Sequence, residues 1–276
     1  MKIAIVTMAR NEDHYAEEWL DYHFRLGVDD IWLVQHGGWK YQGRDFPGLH
    51  KIYAGFHAKQ RDIVNDMLGY LRDRYDWMLF TDVDEFVCLK NGDNDLKTFL
   101  ERYDDCNGIC FNWRMFGSSG RVEDGDYRII ERFTHCERNL STWVKQALHV
   151  SRAPKDAWMV DVHTPMIGTN TQKAIVIVPQ VVNVSKKHCQ TELGNNSRDL
   201  DECLNIAYLA HFRVKTYGEW VKRFQRNNEY WYHMTNSKEC ESYLSKFHEQ
   251  DCNEVEELAL QQFQRTGKFL MVRTTM

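Results

Sequence analysis

The sequence predicts an α/β fold built on a mostly parallel central sheet. Short apolar strands alternate with amphipathic helical stretches through the first half, and most of the links between them are short. An apolar run at 77–80 ends at once in a cluster of acids, the place where open α/β sheets put their ligands. With 276 residues and an apolar fraction of 43%, the chain has room for one large domain with a real core.

Residues 2–8 (KIAIVTM) read as a buried strand, followed by a helix over 13–26. That helix carries Tyr15, Trp19, His23 and Leu26 on one face, has Asp13 as its cap, and is stopped by Gly27. A second strand at 30–34 (DIWLV) completes a βαβ unit, which makes a parallel sheet the default. Residues 36–50 form a Gly-rich loop without periodicity. A strand at 51–54 then leads into a helix over 58–75, whose stripe Val64, Met67, Leu68, Leu71 and Tyr75 belongs to the core. The strand at 77–80, a helix over 95–103 and a strand over 108–116 continue the alternation.

Past residue 120 the pattern changes. Strand-like pieces at 147–150, 158–162 and 174–184 lie close together and predict antiparallel pairing beside the parallel part. From 199 onward the reading is mostly helical: 199–212, 217–234, then shorter amphipathic pieces to 269. With only four prolines and no repeat, the chain is expected to form one domain over 1–235, with a helical extension over 236–276 packed on it.

The net charge is −5, with 35 basic against 40 acidic residues, and this argues against a nucleic-acid partner. The eight cysteines contain no C-x-x-C pair, and Met1-Lys2 leads straight into a strand rather than a signal peptide. No apolar run is long enough to span a bilayer. The expectation is a cytoplasmic protein with free thiols, touching the inner membrane face at most peripherally.

The chemistry centres on Asp82, Asp84 and Glu85. Carboxylates at i and i+2 of an extended chain share a face, and like charges so close call for a positive partner. A divalent cation with hard oxygen ligands, Mg²⁺ or Mn²⁺, fills that need. Loops after parallel strands share one rim, so Arg10-Asn11-Glu12 can neighbour these acids, with Arg10 as an anion partner. Lys59-Gln60-Arg61 opens a helix whose N-terminus favours anions. His163 and the segment His211 to Lys215 could complete a metal shell and neutralise a diphosphate. Trp113 offers an aromatic face to a sugar ring, just before the small-residue loop Gly117-Ser118-Ser119-Gly120.

Taken in order, these segments resemble the glycosyltransferases related to family 2 and family 92. The resemblance rests on Thr7-Met8-Ala9-Arg10-Asn11-Glu12 with Tyr15, Glu18-Trp19-Leu20 and Tyr22-His23, then Gln60. It continues through Trp77-x-x-Phe80-x-Asp82-Val83-Asp84-Glu85-Phe86, Phe116 to Gly120, Glu131-Arg132-Phe133, Val162-His163 and His211-Phe212-x-x-Lys215-Thr216. About four-fifths of the chain is covered, and the last fifty residues or so match no pattern. The resemblance implies a GT-A fold and a nucleotide-sugar donor, with a UDP-sugar expected, bound with Mn²⁺ or Mg²⁺. The acceptor would be a glycan or a lipid-linked saccharide. Arg10, Asn11, Glu12 and Gln60 would line the nucleotide pocket, Asp82 would contact ribose or metal, and Asp84 would ligate the metal. His163 or His211 would be a further metal ligand, and Lys215 would hold the diphosphate.

These families generally invert at the anomeric carbon, which requires a base for the acceptor hydroxyl. Asp161, two residues before His163 and so on the same strand face, is the candidate, with Glu123 and Asp124 as rivals. Two other readings compete. A binding protein of the same fold would not need Asp84 or Lys215 for turnover, and a nucleotidyl- or phosphoryl-transfer enzyme would ordinarily show the absent G-x-x-x-x-G-K-[ST] loop. The basic, aromatic stretch Trp220, Lys222, Arg223, Arg226, Tyr230, Trp231 and Tyr232 is either an acceptor groove, a membrane face or an ordinary amphipathic helix.

Overall fold

Alternation along the first strand, β1 (Ile3–Ala9), sorts the core into two layers. Ile3 and Ile5 pack with Trp19 and Leu20 of α1 (Asp13–Arg25), while Ala4 and Val6 pack with Val64 and Leu68 of α2 (Gln60–Leu71). The structure, a computed structural model, describes residues 1–125, 128–159, 161–163, 167–169, 181–186, 200–227 and 234–269.

The parallel half of the sheet adds β2 (Asp30–His36), β3 (Leu49–Ala54) and β4 (Trp77–Phe80) in the order β3-β2-β1-β4. After β4 come β5 (Glu85–Leu89), α3 (Leu96–Glu101), β6 (Gly108–Met115), α4 (Ile129–Arg132), β7 (His135–Cys136) and β8 (Val144–His149). β8 lies antiparallel between β4 and β6, as the antiparallel expectation required. Next are β9 (Ala157–Met159), β10 (Ile167–Thr169), β11 (Val181–Asn183), α5 (Leu200–Leu204) and β12 (Ala207–His211). β12 runs parallel to β6 and antiparallel to β5, and β11 pairs parallel with β6, against the antiparallel expectation for 174–184; these complete the nine-stranded sheet. With helices on both faces, this is the α/β architecture expected of a GT-A chain. The chain then continues as α6 (Tyr217–Asn227), α7 (Ser237–Gln250), β13 (Val255–Glu256) and α8 (Ala259–Thr266).

Several expectations are corrected. Residues 199–212 are not one helix: α5 is short, and 207–211 form the fully buried strand β12. A strand buried on both faces is an unbroken apolar run, and periodicity alone cannot tell it from a buried helix. Asp13 does not cap α1; Glu12 holds the cap position without a side-chain bond, and Asp13 accepts from Trp39 Nε1 at 2.6 Å. The helix expected over 58–75 is confined to α2, though Tyr75 is buried as predicted. Most of 174–184, and Tyr230, Trp231 and Tyr232, lie outside the described residues.

The segment after 236 is tied to the rest at several places, β13 pairing with β7 and α8 joining the main core among them. α7 packs Phe247, Tyr243 and Leu244 on Trp220 and Val214. Asp251 accepts from the amide and hydroxyl of Ser118 at 2.5 and 2.9 Å, and Asn253 accepts from the Ser119 amide at 2.7 Å. A Cβ on Gly117 would stand 2.5 Å from the Cys252 carbonyl oxygen, so the small-residue loop is a docking surface for this segment. Glu257 pairs with Lys90 and Arg114 at 2.9 and 2.7 Å. Among the described residues the cysteines are free thiols, and no helix is long and apolar enough to cross a membrane.

Candidate active site

Three loops meet at the carboxyl ends of β1, β4 and β12. They are Arg10 to Glu12 after β1, Asp82 to Asp84 after β4, and the turn at Lys215 after β12. Asn11 and Lys215 adopt left-handed backbone conformations, φ +56° and +59°, which turn the chain sharply at the rim. Together with Arg223 and Arg226 of α6 the three loops enclose a cavity of about 360 Å³. The stretch 220–226 therefore divides by face, Trp220 going to the core and the arginines to the cavity.

The acid cluster is a turn rather than an extended strand, with the Glu85 amide donating to the Asp82 carbonyl at 3.0 Å. The same-face expectation for Asp82 and Asp84 assumed extended backbone, and each carboxylate instead has its own partners. Asp82 accepts from Gln60 Nε2 at 2.8 Å and from Lys145 Nζ at 2.9 Å. Lys145 is 2% exposed, rests over the Phe80 ring, and lies 3.8 Å from the Glu85 carboxylate. Glu85 is no ligand candidate: it is fully buried, it accepts from the Asp82 amide at 2.8 Å, and burial pushes its carboxyl well above the usual range.

Asp84 faces the opposite set of groups. Lys215 Nζ lies 3.5 Å away, Arg223 Nη1 3.7 Å and His211 Nε2 3.8 Å. Burial alone would raise Asp84, but these neighbours overcome it and hold the carboxylate far below its ordinary value. His211 reaches this position because β12 pairs it in register with Glu85. Burial pushes its imidazole down to about 3, so it is neutral near neutral pH, the form in which histidine binds metals. Burial likewise lowers Lys215, against the pull of Asp84 and Glu12, and raises Glu12, against Arg226 at 2.7 Å.

The expected metal set of Asp82, Asp84, His163 and His211 does not converge. Among the described residues no three His, Cys, Asp or Glu side chains gather as a metal-holding group. His163 packs edge-on against Trp113 and Trp143, with ring centroids 5.2 and 5.9 Å away, outside the cavity lining. Asp84 and His211 do fit a cation: they bring an anionic oxygen and a neutral ring nitrogen, Nε2, within 3.8 Å of each other. Mg²⁺-type sites commonly use one or two protein ligands and take the rest from substrate phosphates.

Asp161 is not on a strand. β9 ends at Met159, and Asp161 is an exposed residue whose Oδ1 accepts from the His163 amide at 2.7 Å. The rival Asp124 is bound to Thr216 Oγ1 at 2.8 Å and to Lys222.

Sequence reasoning missed the residue that fixes the Lys215 turn. Glu219 accepts from Tyr15 Oη at 2.5 Å, from Arg132 Nη1 and Nη2 at 2.9 and 2.8 Å, and from the Thr216 amide and hydroxyl at 3.0 and 2.8 Å. Tyr15, Arg132 and Thr216 come from three separate motifs, and Glu219 is their common partner. Lys145 was missed as well, and its signal was a lone lysine inside the otherwise uncharged run 144–150.

The profile of glycosyltransferase family 92 matches residues 40–249, about three quarters of the chain. The chain belongs to glycosyltransferase family 92. No curated protein matches it. Among solved structures it is similar to S. aureus TarS, at 12% identity and a TM-score of 0.40, covering 91% of this chain and 43% of that one. It is similar also to S. aureus TarS 1–349 in complex with UDP-GlcNAc, at 13% identity, TM-score 0.34, covering 55% and 46%. A third likeness is to HddC from Yersinia pseudotuberculosis, at 11% identity, TM-score 0.32, covering 53% and 76%. This family 92 chain thus spans less than half the length of those TarS chains. All three likenesses are distant.

Proposed function

We propose that this family 92 chain transfers a sugar from a nucleoside-diphosphate sugar, a UDP-sugar in the first instance, to a hydroxyl of a glycan or lipid-linked saccharide. The observation that carries the proposal is the cavity at the carboxyl end of the parallel strands, where Lys215 and Arg223 face Asp84, Arg226 pairs with Glu12, and His211 Nε2 lies 3.8 Å from Asp84. Cations gathered around a carboxylate in this way suit a diphosphate leaving group, whose charge grows as its bond to the sugar breaks.

Asp84 and His211 would hold Mn²⁺ or Mg²⁺, which when bound supplies Lewis-acid neutralisation of the departing diphosphate. Lys215 and Arg223 add fixed positive charge at the same end of the cavity. Asp82 is oriented by Gln60 and Lys145, and a carboxylate with about four acceptor sites can still accept from a ribose hydroxyl. Arg10, Asn11 and Glu12 form the wall on which the nucleoside would rest, with Arg226 bound to the Asn11 carbonyl at 3.1 Å and to Glu12. Inversion would follow from a single displacement.

The test is product analysis after incubation with a panel of nucleotide sugars and Mn²⁺. Release of nucleoside diphosphate, lost in Asp84→Asn, is expected. Release of pyrophosphate, or no turnover of any nucleotide sugar by folded protein, would overturn the proposal.

A further inference from the structure

A second cavity, of about 420 Å³, lies beside the first, with Trp113, Trp143, His163, Arg213 and Glu249 on its walls. We infer that this cleft is the acceptor site and that it takes an uncharged saccharide end stacked on Trp143. The inference rests on the transferase reading above and adds to it the place and chemical class of the acceptor.

Continuity is the first support. Arg213 lines both cavities, and the Trp113 ring lies 4.4 Å from the His211 ring, whose Nε2 faces Asp84. A sugar in the cleft therefore sits one side-chain layer from the groups assigned to the donor diphosphate.

The state of Trp143 is the second. It is 46% exposed although it is a large aromatic residue, and its backbone is fixed: its carbonyl accepts from the Trp113 amide at 2.9 Å. Its ring stacks on Trp113 with centroids 6.1 Å apart and planes at 26°. A rigid aromatic face left open at the mouth of a cavity is the mark of a binding surface rather than of packing. The C–H face of a pyranose is apolar and fits such a ring, while its hydroxyls reach the polar rim.

Charge decides the class of sugar. Arg213 and Glu249 are opposite in sign. Among the described residues the walls carry no charge excess for a uronic or sialic acid. Glu249 and Gln250 end α7, and the next residues clamp the small-residue loop, so the segment after 236 builds one wall of the cleft.

The test titrates the protein with methyl glycosides of glucose, galactose, mannose and N-acetylglucosamine, followed by ligand-observed NMR. Methyl glucuronoside serves as the charged control. At least one neutral glycoside should bind, with a loss of about tenfold or more in Trp143→Ala, a smaller loss in Trp143→Phe, and UDP–Mn²⁺ binding unchanged in both. Equal glycoside binding by Trp143→Ala, preference for the glucuronoside, or no binding of any neutral glycoside would overturn the assignment. Failure of the transferase reading shows separately, as absent UDP binding with glycoside binding intact.

Discussion

Replacing Glu219 by Gln removes the charge at which α1, α4 and the Lys215 turn meet. Glu219 and Arg132 are each 6% exposed and joined by two parallel hydrogen bonds of 2.9 and 2.8 Å. Breaking one partner of a buried pair typically costs about 3–5 kcal/mol, because the other charge is left uncompensated. A second route gives a similar figure. Burial raises the Glu219 carboxyl, but Arg132, Tyr15 and Thr216 pull it down to about 2 from 4.5. At roughly 1.4 kcal/mol per unit this is on the order of 3 kcal/mol, or about 2 after discounting for solvent screening. The amide of Gln keeps one acceptor, so a loss of about 3 kcal/mol is expected, lowering Tm by about 6–12 °C. Since the folded-state pKa is depressed, the contribution is fully present above pH 4.5 and fades as pH falls through about 2. Urea denaturation of both proteins from pH 7 down to pH 3 measures the loss and its fading. A difference under about 1 kcal/mol at pH 7, or one that grows on acidification, would refute the reasoning.

Other perturbations probe the neighbouring contacts. Lys145→Met removes a charge-assisted bond to Asp82 and should cost about 2–3 kcal/mol in urea denaturation while weakening nucleoside-diphosphate binding; unchanged binding would separate Lys145 from the site. Gly117→Ala forces a methyl group against the Cys252 carbonyl oxygen and should cost about 1–3 kcal/mol, with faster proteolysis after residue 236; a neutral effect would contradict tight docking of that segment. If Asp161 is the base, Asp161→Asn lowers kcat by about 10²–10⁴ with little change in KM, and an unchanged kcat removes it from the reaction.

The parallel half of the sheet was legible because buried strands joined by short links allow few topologies. Arg10, Asn11 and Glu12 were legible as neighbours of Asp82 and Asp84 for the same reason, since loops after parallel strands share a rim, whereas Lys215 entered through its chemistry and the resemblance because the strand before it was read as helix. What stayed hidden depends on pairings distant in sequence. Nothing near Asp82 announces that its ammonium partner stands at Lys145, and nothing near Tyr15 announces Glu219. β12 was misread because its five residues are all buried and carry no period. His211 was nonetheless singled out, and in this fold it faces Asp84 rather than His163. The last fifty residues showed no recognisable pattern, although the family match reaches 249, and Asp251 and Asn253 explain why the loop they grip is made of Gly and Ser.

The central claim is that Asp84, His211 and Lys215 hold a nucleoside diphosphate together with a divalent cation. Isothermal titration with UDP, GDP, CDP and dTDP, each with Mn²⁺ and with EDTA, tests it most directly. One nucleotide should bind at least tenfold more tightly with Mn²⁺ than with EDTA, and Asp84→Asn, shown to be folded, should lose that gain. Binding that is indifferent to Mn²⁺ and undiminished in Asp84→Asn would contradict the account.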